Sequence, residues 1–150
     1  MIELQLPKIN AKIREVAGKE QIFDIIRKKY VALTPEEWVR QHVVSFLIEH
    51  RNYPKGLIKV ESGLTFNKMK KRSDIIIYNQ EGNPFLIVEC KAASQSINQS
   101  TIDQASIYAF SLQSNYLVVS NGMQHHCCQL DFVKKEYSFC ADIPFYDMSF

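Results

Sequence analysis

Three ionisable residues sit where a buried sheet should exclude them. In the stretch from Arg72 to Ala92, RSDIIIYNQEGNPFLIVECKA, Asp74 heads one apolar run, and Glu89 and Lys91 stand one residue apart inside another. Removing a carboxylate or an ammonium from water is costly unless a partner or a metal compensates. Side chains alternate along a strand, so Glu89 and Lys91 share one face and Cys90 takes the other. If the turn around Gly82 pairs the two runs, Asp74 comes beside Glu89 and Lys91 and three charges converge. A divalent cation accounts for both carboxylates, because Mg²⁺ takes one or two protein carboxylates, keeps several waters and leaves room for phosphate oxygens. The backbone carbonyl of Cys90 offers a further oxygen. Lys91 beside such an ion could orient or help deprotonate an attacking water and offset charge on a phosphate. The chemistry implied is phosphodiester hydrolysis. The bland alternative, a structural salt bridge between Lys91 and one acid, leaves the other acid unexplained.

The elements that must position these groups can be read from pattern and punctuation. "DIIIY" and "FLIVECK" are apolar runs joined by the turn-forming "NQEGNP", and with "LIKVESGLTF" they predict a three-strand meander. The runs are too continuous for a sheet with one wet face and imply cover on both sides. Ahead of them, Thr34 as N-cap, Pro35 at the first helical position and Glu36 and Glu37 in the first turn predict a helix to about His50. Val39, Val43, Phe46, Leu47 and His50 are its expected buried stripe. "STIDQASIYAFSLQ" predicts a second helix, with Ile102, Ala105, Ile107, Ala109 and Leu112 as packing candidates. "YLVVS" predicts a buried strand ended by Asn121 and Gly122, and "HHCCQLDF" and "EYSFCADI" a C-terminal hairpin. The stretch "AKIREVAGKEQIFDIIRKKYVAL" reads as a hairpin turning at Gly18 and Lys19, with a partly helical form as the alternative. The expected fold class is therefore α/β, a central mixed β-sheet flanked by helices with extra strands at both ends.

Composition narrows the field. One hundred and fifty residues with 46% hydrophobic content suit a single domain over residues 1–150. A formal charge of +2 is too mild to announce a nucleic-acid binder, so any basic surface must be local. Cys90, Cys127, Cys128 and Cys140 have neither the spacing of a disulfide framework nor paired CxxC motifs, which favours a reducing, cytoplasmic setting. No stretch approaches the ~18 apolar residues of a membrane span. The "HHCC" at His125 to Cys128 hints at zinc, but adjacent strand residues point to opposite faces and cannot readily close one tetrahedron.

Taken in order, "KKYVALTPEEWVRQ", "KRSDIIIY", "VECKA" and "YLVVSNG" resemble the N-terminal nuclease domain of type I restriction enzyme R subunits, within the PD-(D/E)xK superfamily. The resemblance implies a restriction-endonuclease-like fold and Mg²⁺-dependent hydrolysis of DNA, with Mn²⁺ as a substitute. It maps the acidic pair to Asp74 and Glu89 and the catalytic lysine to Lys91, while Ser73 departs from the proline of the named motif. It also suggests a glutamate on the first helix that extends the metal site: Glu37, with Glu36 as the alternative, against helix capping alone. Gln104 and Tyr108 in "QASIY" match the Q-x-x-x-Y motif of RecB-like members, with a buried structural tyrosine as the competing reading. Spacing of four puts both on one helix face.

Lys68, Lys70, Lys71 and Arg72 would suit phosphate contacts, or form a solvated loop. Arg40 and Gln41 could support the site. There is no G-x-x-x-x-G-K-[ST] loop, so no translocase motor is expected in this sequence. Expected partners are DNA, a second copy of the chain, or subunits of a restriction or repair complex, and not a membrane. The alternative is a catalytically silent nucleic-acid-binding or assembly module.

Overall fold

The computed structural model describes residues 1–60, 65–66, 69–70 and 75–147, of which 65–66 and 69–70 are described for their backbone alone. Among the described residues the strands form three sheets. The first is an antiparallel sheet of β1 (Ile13–Val16), β2 (Lys19–Asp24) and β3 (Lys29–Ala32). The β1–β2 turn passes through Ala17 and Gly18 with φ of 53° and 78°, the left-handed pair that two-residue hairpins require. The expected hairpin thus gains a third strand, and the helical alternative is not adopted. Ile22 and Asp24, alternate residues of β2, are buried.

Helix α1 (Pro35–Arg51) starts as its sequence directs: Thr34 Oγ1 accepts the Glu37 N–H at 3.0 Å, and Asn52 ends the helix in a left-handed conformation with φ of 61°. Its buried apolar residues are Val39, Val43, Val44 and Leu47. His50, expected in the stripe, is exposed and stacks on the half-buried Phe46 with ring centroids 5.6 Å apart. The contact face turns instead toward Arg40 and Val44, because Glu37, Arg40 and Gln41 satisfy one another and can be buried together.

The main sheet runs β11–β10–β9–β8–β7–β4. Its members are β4 (Ile58–Val60), β7 (Ile75–Tyr78), β8 (Pro84–Cys90), β9 (Tyr116–Ser120), β10 (His125–Asp131) and β11 (Glu136–Cys140), while β5 (Thr65–Phe66) and β6 (Met69–Lys70) pair with each other. β4, β7 and β8 form the antiparallel meander, with Ile58 opposite Ile77 and Ile75 opposite Val88. Asn79 shapes the β7–β8 turn, its Oδ1 accepting the N–H groups of Glu81 and Asn83 at 3.0 and 2.9 Å. β8 and β9 are parallel, Glu89 opposite Val119 and Cys90 opposite Ser120. A parallel pair needs a crossover, and α2 (Gln99–Ser111) supplies it, started by a capping box between Asn98 and Thr101.

Both faces are covered, as the continuous apolar runs require. Ile75, Ile77, Leu86, Val88, Cys90 and Val118 pack with α1, whereas Ile76, Ile87, Leu117 and Val119 pack with Ile102, Ala105, Tyr108 and Ala109 of α2. Ile107, read as a packing candidate, is 63% exposed because the α2 stripe runs through Ile102, Ala105 and Ala109. This architecture is the mixed α/β sheet with flanking helices and additional strands at both ends.

Candidate active site

β8 delivers Glu89 and Lys91 to the face covered by α2, the face of Ile87, while Cys90 turns into the α1 core. Lys91 lies one residue past β8, yet its N–H donates to the Ser120 carbonyl at 2.8 Å, so the ladder still holds its backbone. Lys91 Nζ stands 3.6 Å from Glu89 Oε1, with the two side chains 32% and 19% exposed. A pair this long and partly solvated contributes below about 1 kcal/mol, so exchanging it for another ligand costs little.

Above this pair opens a cleft of about 920 Å³ between the sheet and α2. Gln104 and Tyr108 line it together with Glu89 and Lys91. Four of the residues read from the sequence are thereby brought to one cavity, Gln104 exposed and Tyr108 mostly buried. Ser94, Gln95 and Asn98 add polar wall.

Glu37 does not line that cleft. It is buried, and its carboxylate accepts from Arg27 Nη2 at 2.7 Å, Arg40 Nη1 at 2.7 Å and Gln41 Nε2 at 3.2 Å. Arg27 also pairs with buried Asp24 at 2.6 Å, so the network staples the β2–β3 turn to the start of α1. Burial works to raise the Asp24 pKa, but hydrogen bonds from the Arg27 and Ile26 backbone and the Arg27 side chain outweigh it and hold it below the ordinary 3.8. Glu36 stands 3.9 Å from Arg40. The beginning of α1 nonetheless lies at the end of the sheet where Glu89 and Lys91 emerge. A Cβ on Gly122, two residues beyond the Ser120 that faces Cys90, would come 3.2 Å from Val39 Cγ2.

Asp74, Lys68, Lys71 and Arg72 lie outside the described residues, and Lys70 is described for its backbone in β6 alone. His125 and Cys127 occupy one face of β10 and Cys128 the other. Both His125 ring nitrogens are engaged, by Ser120 Oγ at 2.7 Å and the Gln5 carbonyl at 3.0 Å. Burial pushes the Cys128 thiol up to about 11 and raises Cys127 as well, which suits packed thiols. Among the described residues no three His, Cys, Asp or Glu side chains are grouped to hold a metal ion.

Sequence reasoning named Asn121 only as a turn residue. In the structure it is 4% exposed; its Nδ2 donates to the Gln95 carbonyl at 2.8 Å, and its Oδ1 accepts from Met123 and Gln124 N–H at 2.9 and 2.8 Å. It therefore ties the cleft loop after Lys91 to the β9–β10 turn. The Asn-Gly pair marked a turn, but nothing local in the sequence pointed to Gln95.

Fold and site together define a mixed α/β architecture with a glutamate and a lysine, one residue apart, lining a cleft beside a crossover helix. The chain belongs to the type I restriction enzyme R protein N terminus (HSDR_N) family, whose pattern matches residues 35–144. A solved fragment described as an HsdR subunit of a type I restriction enzyme from Vibrio vulnificus YJ016 shares the fold, with a TM-score of 0.53 and 20% sequence identity over 75% of this chain. This chain covers 24% of that one. Comparison with proteins of curated function gives no significant match. Among the described residues, no helix is long and apolar enough to cross a membrane.

Proposed function

We propose that this chain is a nuclease of the restriction-endonuclease-like, PD-(D/E)xK type, hydrolysing phosphodiester bonds of DNA with Mg²⁺, or Mn²⁺ in its place. The observation that carries the reading is Glu89 and Lys91 side by side in the lining of the cleft, in a chain of the R-protein N-terminal family. In the sequence Asp74 stands one residue before Ile75, whose partner is Val88, and Glu89 one residue after Val88. The donor set is all hard oxygen: Asp74, Glu89 and the Cys90 carbonyl, with Glu37 as a further candidate from α1. That chemistry fits Mg²⁺.

The bound ion would supply Lewis-acid polarisation of the phosphate and a more acidic water. Glu89 and Asp74 would hold it. Lys91, released from its 3.6 Å pair, places an ammonium against the developing phosphate charge and can orient the attacking water. Gln104 and Tyr108 direct polar groups toward Lys91 or the strand from the helical wall, and Lys70, Lys71 and Arg72 meet the phosphate backbone. A second copy of the chain, or partner subunits of a restriction or repair complex, would provide a second site for cutting both strands.

The test is cleavage of supercoiled plasmid and of single-stranded DNA in Mg²⁺, Mn²⁺ or EDTA, with Lys91→Ala alongside. The expected result is metal-dependent cutting that falls by at least about 100-fold in the variant. Cutting in EDTA, or equal cutting by Lys91→Ala, would overturn the assignment. Binding of DNA without cutting under any condition would instead favour a silent binding module.

A further inference from the structure

The small N-terminal sheet segregates its charge. Pairing sets Val16 opposite Lys19, Arg14 opposite Gln21, Ile13 opposite Ile22 and Phe23 opposite Tyr30. The Phe23 N–H donates to the Lys12 carbonyl at 2.9 Å, which extends the ladder by one residue. Alternation then puts Glu15, Glu20, Ile22 and Asp24 on one face, the face whose Ile22 and Asp24 are buried. The opposite face carries Lys12, Arg14, Lys19, Gln21, Phe23 and Tyr30, and no carboxylate of the three strands points that way.

That outer face is also ordered. The Arg14 guanidinium carbon lies over the Tyr30 ring, 3.8 Å from its centroid, and the Arg14 Nε donates to Gln21 Oε1 at 2.8 Å. Lys12 Nζ stands 5.7 Å from the Phe23 centroid, and the two aromatic rings meet edge to face at 5.3 Å. Both rings are half-buried and all three cations are exposed. A cation stacked on a ring keeps its charge, and among the described residues no acid of the three strands lies on this face to offset it. Planar surfaces interleaved with uncompensated cations fit a ligand that alternates flat π-systems with phosphates.

We propose that the outer face of β1–β3 is a second binding surface, for a single strand of DNA. Its bases would stack on the Arg14–Tyr30 and Phe23 planes and its phosphates would meet Lys12, Arg14 and Lys19. A single strand is the occupant because a duplex hides its base faces. Through Arg27 the same sheet is bonded to Glu37 at the start of α1, at the end of the main sheet where Glu89 and Lys91 emerge. A strand on this face would thus lead toward or away from the cleft. In that respect the inference rests on the nuclease reading.

The experiment is fluorescence anisotropy of a labelled oligo-dT of about 20 nucleotides with the whole chain in EDTA, titrated at several salt concentrations. Lys12→Ala/Arg14→Ala/Lys19→Ala should weaken binding and lower the slope of log K against log salt by about 2, at roughly 0.7 for each phosphate no longer neutralised. Tyr30→Ala should weaken binding by about 5- to 150-fold, and Lys134→Ala/Lys135→Ala at the β10–β11 turn should leave it unchanged. Circular dichroism and melting of each variant separate lost binding from lost fold. Unchanged affinity in the triple variant and in Tyr30→Ala, no binding by the wild type, or equal competition by polyglutamate would each overturn the proposal. Tighter binding of oligo-U would replace DNA by RNA as the occupant and overturn it too. Cleavage of the same oligonucleotide in Mg²⁺, scored separately against Lys91→Ala, reads the nuclease assignment by itself.

Discussion

Replacing Glu37 by alanine should destabilise the protein by about 3 kcal/mol, near the lower end of the roughly 3–5 kcal/mol for breaking a buried ion pair. The Glu37 carboxylate joins Arg27 and Arg40 at 2.7 Å each, with side chains 6%, 19% and 8% exposed. Its loss removes the 2.7 Å partner of Arg40, whose Nη2 also lies 3.9 Å from Glu36, while Arg27 keeps Asp24 at 2.6 Å. That retained pair is why the lower end applies. Urea unfolding in EDTA reads the effect, and a melting temperature lower by about 6–12 °C would accompany it in a chain of this size. Glu37→Gln, which keeps shape and hydrogen-bond acceptance, should lose less. Repeating the melts with Mg²⁺ separates the two roles: a structural staple leaves the Mg²⁺-induced stabilisation intact in Glu37→Gln, whereas a metal ligand reduces it. A loss under about 1 kcal/mol in Glu37→Ala would refute the view that this network holds the N-terminal sheet to α1.

Two further outcomes follow from other parts of the fold. Gly122→Ala should cost about 2 kcal/mol or more by denaturant melting, because φ there is +84° and the new Cβ would stand 2.8 Å from Leu4 Cδ2. Stability should also fall on acidification in two steps, read as the urea midpoint across pH. Burial, opposed by the bond to the Trp38 carbonyl, depresses His42 below 6.5, so under that pH the unfolded chain takes up the proton first and stability is lost. Asp24, held below 3.8, adds its own loss as pH falls through that value, and His42→Asn should flatten the first step alone.

The strands β7, β8 and β9, both helices and the C-terminal hairpin were legible because continuous apolar runs, caps and Gly-bearing turns each have one local physical cause. Alternation put Glu89 and Lys91 on one strand face and a spacing of four put Gln104 and Tyr108 on one helix face, whereas only the resemblance to RecB-like members linked the two pairs. The third strand at Lys29–Ala32 was harder to read, its turn being held by Asp24 and Arg27 rather than by glycine or proline. The burial of Arg40 and exposure of His50 were also hidden. An apolarity count cannot see that Glu37 will pair with Arg27 and accept a hydrogen bond from Gln41 across two elements. Asn121 escaped for the same reason, its partner Gln95 lying 26 residues away.

The central claim, that Asp74, Glu89 and Lys91 act on one metal-bound phosphate, is met most directly by measuring Mn²⁺ binding calorimetrically and cleavage side by side in wild type, Asp74→Asn, Glu89→Gln and Lys91→Ala. The account predicts that the two acid variants lose both binding and cleavage, while Lys91→Ala keeps binding and loses cleavage. Cleavage undiminished in the acid variants, or Mn²⁺ binding that survives the loss of both carboxylates, would contradict it.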